Sequence, residues 1–100
     1  MDQKQAIESV KKYSEVLKNH FDLDKVYLFG SFARSNFHKD SDIDVAVFIW
    51  NNKFDNLTTT SKLWRLSRDI EMRIEPILLE NIKDETGFLE YVLNEGIEIN

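Results

Sequence analysis

The chain has 100 residues, of which 42% are hydrophobic and 12% aromatic, enough for one domain with a buried core. It has no cysteine, which excludes disulfides, thiolate metal sites and cysteine nucleophiles and makes a cytoplasmic location the expectation. The net charge of -5 argues against a broad surface for long nucleic acid. The polar start lacks the apolar core of a signal peptide, and no apolar run approaches the ~20 residues that span a bilayer. We therefore expect residues 1–100 to form a single soluble domain.

The first third of the chain predicts a helix, a strand and a tight turn. From Gln3 to Phe21, apolar residues recur at steps of three and four, as in an amphipathic helix. The run from Lys25 to Phe29 is β-branched and aromatic and predicts the first strand, which ends at Gly30. Ser31 is a candidate cap for a following helical turn.

The segment from Asp42 to Trp50 predicts a central strand with a polar start. Alternation places Asp42, Asp44, Ala46, Phe48 and Trp50 on one face and Ile43, Val45, Val47 and Ile49 on the other. Both faces are apolar after the second carboxylate, so the strand is expected to be buried on both sides. Its two carboxylates then lie where the sheet meets solvent.

The second half predicts a helix, a strand, a last helix and a short final strand. Helical spacing marks residues 56–70, and residues 71–79 read as a strand in which Pro76 requires an edge or a bulge. Asn81 is a candidate cap for the last helix, Gly96 its left-handed stop, and residues 97–99 the short strand. The order of elements predicts one α/β unit, and the aromatic residues expected in its core are Tyr27, Phe48, Trp50 and Trp64.

Two groups of residues carry chemistry. Gly30 lets the backbone approach a phosphate closely, and Ser31 adds a hydroxyl donor beside amides at the start of a helical turn. Asp42 and Asp44 point the same way and offer the hard oxygen ligands that Mg²⁺ prefers. Glu75 lies in an otherwise apolar strand, where an unpaired charge is costly, and is the candidate for a third carboxylate. It is also the candidate for the group that takes a proton from an attacking hydroxyl.

Basic residues near the turn are secondary candidates. Arg34 and Lys39 flank the loop between Ser31 and Asp42 and are placed to neutralise a triphosphate.

The chemistry that this set of residues supports is in-line attack by a hydroxyl on the α-phosphate of a nucleoside triphosphate, with pyrophosphate leaving.

The layout of these residues resembles the nucleotidyltransferase superfamily of DNA polymerase beta. Ten residues, Phe32 to Ser41, separate Gly30-Ser31 from Asp42-x-Asp44, and Glu75 follows in a later strand. Because little more than a catalytic core is present, the chain is most similar to the minimal, MNT-type nucleotidyltransferases. Many members have Gly at the position of Ser35 and Asp at the position of Glu75.

The resemblance implies a fold, a reaction and a partner. The fold is a small mixed β-sheet flanked by helices. By similarity, Gly30 and Ser31 hold the triphosphate of ATP, while Asp42, Asp44 and Glu75 ligate Mg²⁺. MNT proteins are antitoxins that transfer AMP to a tyrosine hydroxyl of a HEPN-domain toxin, so a hetero-oligomer with such a toxin is expected.

Other interpretations remain open from the sequence. A Gly-Ser turn alone is usually only a turn, and a carboxylate beside a proline at a sheet edge often faces water. Transfer to a small-molecule hydroxyl would need an acceptor pocket formed by a dimer, whereas 100 residues leave no second domain for such an acceptor and favour one brought by a partner protein. A third interpretation is a non-catalytic antitoxin that blocks its partner by occlusion.

Overall fold

A computed structural model of the chain describes residues 1–50, 52–79 and 86–100. In chain order, its elements are α1 (Gln3–Lys18), β1 (Leu23–Phe29), α2 (Gly30–Ala33), β2 (Ile43–Ile49), α3 (Asn56–Arg68), β3 (Ile74–Leu78), α4 (Phe88–Glu95) and β4 (Ile97–Glu98). Each predicted helix and strand is present. The elements α1, β2, α3 and β4 are one to three residues shorter than the sequence pattern indicates, because their ends take up turn geometry, whereas β3 is four residues shorter and β1 begins two residues earlier.

The described strands form one mixed sheet in the order β3-β2-β1-β4. β1 runs antiparallel to both β2 and β4, whereas β2 and β3 are parallel. A parallel pair needs a crossover connection, which α3 supplies. β2 is central and β3 lies at an edge, where the missing N–H of Pro76 costs no hydrogen bond within the sheet. The predicted fold class is therefore confirmed.

Alternation along the strands divides the core into two layers. One face of the sheet packs against α1, α2 and α3 and contains the largest cluster of buried side chains, among them Val26, Leu28, Val45 and Val47. The opposite face carries a smaller cluster that includes Tyr27, Phe29, Ala46 and Phe48, covered by Val92 of α4. The pattern of β2 predicted this division, because its two apolar faces require cover on both sides.

Polar contacts fix the helices on the larger layer. Asp2 and Gln5 form a reciprocal capping box at the start of α1, with both hydrogen bonds 2.8 Å long. The Tyr13 hydroxyl of α1 donates to the Leu63 carbonyl of α3 at 2.7 Å, and burial raises the pKa of Tyr13 well above its usual range.

In the described part of the chain, no helix has the length and apolar character needed to cross a bilayer.

Two predictions about glycine and serine caps are wrong. Ser31 lies inside α2, whose cap residue is Phe29 and has no side-chain hydrogen bond. Gly96 has φ -79° and is not left-handed; a β-carbon there would meet the carbonyl oxygens of Val92 and Leu28, so the position needs glycine for close backbone approach. The proposed cap Asn81 lies outside the described residues, and α4 follows Gly87.

The predicted aromatic core is half right. Tyr27 and Phe48 are buried, but Trp50 is 57% exposed and Trp64 is 37% exposed. Trp50 follows the last residue of β2 and so leaves the sheet, while Trp64 lies next to the inward-facing Leu63 and turns toward solvent. A helix turns by about 100° per residue, so a residue next to a buried one can lie at or beyond the edge of the buried stripe, as Trp64 does.

Candidate active site

Strand register brings the predicted acidic residues to one end of the sheet. Within the sheet, Asp44 of β2 is paired with Phe29 of β1 on one side and with Glu75 of β3 on the other. Asp42 immediately precedes β2, and the next residue donates its backbone N–H to the Arg73 carbonyl at 2.9 Å. The three carboxylates, hereafter the carboxylate cluster (Asp42, Asp44 and Glu75), are therefore neighbours on two strands.

Gly30 lies directly against this cluster. It follows Phe29, the β1 partner of Asp44, and has φ 74°. A β-carbon at this position would overlap the Asp44 carboxylate oxygen Oδ2 and would lie 3.1 Å from Cγ. Glycine is thus required here twice, for the left-handed backbone and for the space that the carboxylate occupies.

The three carboxylates of the cluster are like charges that repel one another. Burial, followed by the charges of Asp42 and Asp44, raises the pKa of Glu75, and a hydrogen bond with the Asp42 side chain adds to the shift. Burial and the Asp42 charge likewise raise the pKa of Asp44. The ion pairs of the described residues, Lys18–Glu15 and Lys25–Glu98, involve none of the three carboxylates.

The donor set of the cluster fits a divalent cation, although its side chains are not arranged as ligands. Within residues 1–50, 52–79 and 86–100, no group of three or more His, Asp or Glu side chains forms a ready-made metal site. However, Asp42, Asp44 and Glu75 lie at the same end of the sheet, and a cation placed among them would relieve the repulsion between their charges. Carboxylate oxygens are the ligands that Mg²⁺ prefers.

An open cleft of about 470 Å³ lies beside the cluster, on the side of the turn and the loop that follows it. Three of the predicted site residues besides the two aspartates line it: Gly30, Ser31 and Arg34. Lys39 and Glu75 are not among its lining residues. Sequence reasoning did not select the remaining lining residues, which are Asn36, His38, Asp40 and Ser41.

Ser41 closes part of this loop through burial and hydrogen bonds that only the structure shows. It is 7% exposed, and its hydroxyl accepts a 2.9 Å hydrogen bond from the His38 N–H, while its own N–H donates to the His38 carbonyl at 3.0 Å. A buried serine just before two acidic residues indicates a closed turn that orients the strand start. Phe32, fully buried and stacked on Phe37 at 4.5 Å, anchors the other end of the loop.

Comparison with known proteins agrees with this geometry. A family model described as "Polymerase beta, Nucleotidyltransferase" matches residues 11–100. The chain is 30% identical to a Methanocaldococcus jannaschii protein named "Putative protein adenylyltransferase MJ0141"; the match spans 93% of this chain and 97% of the relative.

Three solved structures share the fold. A crystal structure from Sulfolobus solfataricus, described as "a putative nucleotidyltransferase", superposes with a TM-score of 0.68 and 25% identity, covering 96% of this chain and 80% of that one. A chain of a toxin–antitoxin complex with AMP-PNP gives 0.66 and 25%, covering 92% and 72%. A chain of the complex of tri-AMPylated Shewanella oneidensis HEPN toxin with MNT antitoxin gives 0.61 and 22%, covering 98% and 71%.

The match to the family model includes β1, the Gly30-Ser31 turn, the carboxylate cluster and every later element of the fold. It therefore covers both the architecture and the cleft described above. This chain belongs to the polymerase beta nucleotidyltransferase family.

Proposed function

We propose that this protein is an Mg²⁺-dependent adenylyltransferase that moves AMP from ATP to a tyrosine hydroxyl of a HEPN-type toxin, and that it thereby acts as the antitoxin. The observation that carries the proposal is the pairing of Asp44 with Glu75 across two parallel strands, with Asp42 immediately before β2 at the same end of the sheet. A structural role would not require three mutually repelling carboxylates.

Each predicted site residue has a role in this reaction. Asp42, Asp44 and Glu75 would hold Mg²⁺, which when bound supplies positive charge at the attacking and leaving oxygens. Gly30 and Ser31, which both line the cleft, would hold the triphosphate there. Arg34, exposed at the rim of the same cleft, would neutralise part of its charge.

Glu75 also suits the proton transfer. The acceptor hydroxyl gives its proton to the Glu75 carboxylate, its oxygen bonds to the α-phosphorus, and pyrophosphate leaves with the electrons of the broken P–O bond. Glu75 is the register partner of Asp44, so a hydroxyl that approaches the carboxylate cluster comes within reach of the Glu75 carboxylate.

The relatives support the partner and the substrate. The Methanocaldococcus jannaschii relative carries the name "Putative protein adenylyltransferase MJ0141". One of the similar structures is a toxin–antitoxin complex with an ATP analogue, and another contains an AMPylated HEPN toxin. We propose that the present chain likewise uses ATP and assembles with a HEPN-type toxin, and that it does so in the cytoplasm.

The test is transfer of α-³²P label from ATP with Mg²⁺ to a HEPN-domain protein of the same organism. We expect label on the HEPN protein with the unmodified chain and none with the double variant Asp42→Asn/Asp44→Asn. Asp22→Asn/Asp24→Asn is the matched control, because both residues lie at the start of β1, at the end of the sheet away from the cluster, and the double substitution changes the net charge by the same two units. Replacing the labelled tyrosine with phenylalanine in the HEPN protein should abolish the signal.

The same experiment separates the other interpretations. If the unmodified chain and the double variant both bind and silence the HEPN protein without labelling it, the chain acts by occlusion. A parallel reaction contains a small-molecule filtrate of a lysate in addition to the HEPN protein. If label appears in small molecules of that filtrate and never in protein, the acceptor is a small-molecule hydroxyl. Either result would overturn the proposal.

A further inference from the structure

The first residue of α1 reaches across the fold to the end of α2. The Gln3 amide nitrogen Nε2 donates to the carbonyl oxygens of Phe32 and Ala33, at 2.9 and 3.4 Å, and lies 3.1 Å from the Ser35 hydroxyl oxygen. About 30 residues separate Gln3 from these partners. One side chain therefore ties the N-terminus of the chain to the segment that carries Gly30 and Ser31.

The bonded carbonyls lie at the end of a short helix, where the Phe32 carbonyl also accepts a longer hydrogen bond, 3.4 Å, from the Ser35 N–H. The last carbonyls of a helix have no partner within it, and α2 has only four residues, so few internal hydrogen bonds hold it in place. Ser35, just beyond α2, has φ 58° and is the one non-glycine residue with a left-handed backbone in the described part of the chain. This conformation is unfavourable for serine, and the contact with Gln3 helps to retain it.

Gln3 is itself held firmly. The capping box of Asp2 and Gln5 encloses its backbone, and α1 is anchored through fully buried residues that begin with Ala6. The other support of α2 is the buried Phe32 ring. A displacement of the far end of α2 would move Ser31 and Arg34 together, because both lie on the same short segment that lines the cleft.

We infer that Gln3 is a positioning residue for nucleotide binding, which holds α2 so that Gly30, Ser31 and Arg34 face the triphosphate. The inference rests on the proposed function, since it assigns Gln3 to the same site. Gln3 does not line the cleft and acts only through α2.

The decisive variant is Gln3→Glu. It keeps the size of the side chain but replaces the donor by a carboxylate that faces two carbonyl oxygens. Gln3 is the first residue of α1, where a negative charge is favourable, so α1 itself should not be weakened. Lys4→Gln is the control, because Lys4 is an exposed neighbour and the net charge changes by the same amount. Gln3→Lys restores a nitrogen donor and should restore function.

We expect the KM for ATP to rise about fivefold to tenfold in Gln3→Glu, the equivalent of one or two lost hydrogen bonds, with kcat within about twofold. Without nucleotide, hydrogen exchange should accelerate at the amides of Arg34, Ser35 and Asn36, which bond back to α2. Lys4→Gln and Gln3→Lys should resemble the unmodified chain in both measurements.

Three outcomes overturn the inference. An unchanged KM for ATP in an active Gln3→Glu variant, or a fall in kcat alone, shows that Gln3 does not position the nucleotide, while the proposed function stands. Unchanged exchange at all three amides shows that Gln3 does not hold α2. If the unmodified chain neither binds nor uses ATP, the proposed function fails and the inference fails with it.

Discussion

Replacement of Gly30 by alanine tests whether this position serves the carboxylate cluster. Both Gly30 and Gly87 have a left-handed backbone, with φ 74° and 79°. An alanine β-carbon at Gly87 would meet nothing within 4 Å, whereas at Gly30 it would overlap the Asp44 carboxylate. Gly87→Ala is therefore a control that carries the same backbone strain without the clash.

The structure allows the two costs to be separated. Each variant should lose about 1 kcal/mol in the free energy of unfolding, because alanine is strained in the left-handed region. At Gly30, the β-carbon would overlap Oδ2 and would lie 3.1 Å from Cγ and 3.4 Å from Cβ of Asp44, so the far end of that side chain must rotate away. A displacement of this size at a reacting centre lowers the rate by about 100-fold.

The assay pairs urea unfolding with AMP transfer to the HEPN protein. We expect Gly30→Ala and Gly87→Ala to be similarly destabilised, and only Gly30→Ala to lose about 100-fold in kcat/KM. In an Asp44→Ala background, where the clash is absent, Gly30→Ala should cause no further loss of activity. The reasoning is refuted if Gly30→Ala retains kcat/KM within threefold of the unmodified chain, or if Gly87→Ala loses as much activity.

Three further predictions concern Ser35, Tyr13 and Asp44. Ser35→Gly should be more stable than Ser35→Ala by about 1 kcal/mol in urea unfolding, because both remove the hydroxyl and only glycine tolerates φ 58°; equal stabilities would contradict the strain. Tyr13→Phe should lose about 1 kcal/mol at pH 7 with the hydrogen bond to Leu63. Because the folded pKa of Tyr13 is raised, the unmodified chain loses stability as pH rises above about 10, and the deficit of Tyr13→Phe should shrink there in urea unfolding; a constant deficit from pH 7 to 11 would argue against this. With EDTA, Asp44→Asn should have a higher Tm than the unmodified chain, by a margin that grows as pH rises from about 4, since the folded pKa of Asp44 is raised and its stabilising contribution is lost as it ionises. Mg²⁺ should then stabilise the unmodified chain more than the variant, and an equal effect on both would contradict a metal site at Asp44.

Local patterns predicted the elements and the faces of the strands well. Alternation in β2 correctly placed Asp44 and Phe48 on one side and Val45 and Val47 on the other. This succeeds because a strand has a period of two whatever its neighbours are. The same patterns failed for Trp64, since an aromatic residue beside a buried one on a helix can be on either side of the boundary of the apolar stripe.

Glycine was predicted less reliably than strand faces. Gly96 was expected to be a left-handed stop and Gly30 to allow close approach to a phosphate, but of these two glycines it is Gly30 that has the left-handed backbone. At Gly96 the reason is the nearby Leu28 and Val92 carbonyls, which belong to β1 and α4. Close approach between elements leaves no local sequence signal, because it depends on how those elements pack.

By itself, the sequence determined the order of helices and strands, the side of β2 on which Asp42 and Asp44 lie, and the candidacy of Gly30, Ser31, Arg34 and Glu75. Only the tertiary structure decided that Glu75 is the register partner of Asp44, that Gly30 lies against the Asp44 carboxylate and that Gln3 reaches the end of α2. The physical reason is range: periodicity and turn preference act over a few residues, whereas register and side-chain contact are set when distant segments pack on one sheet.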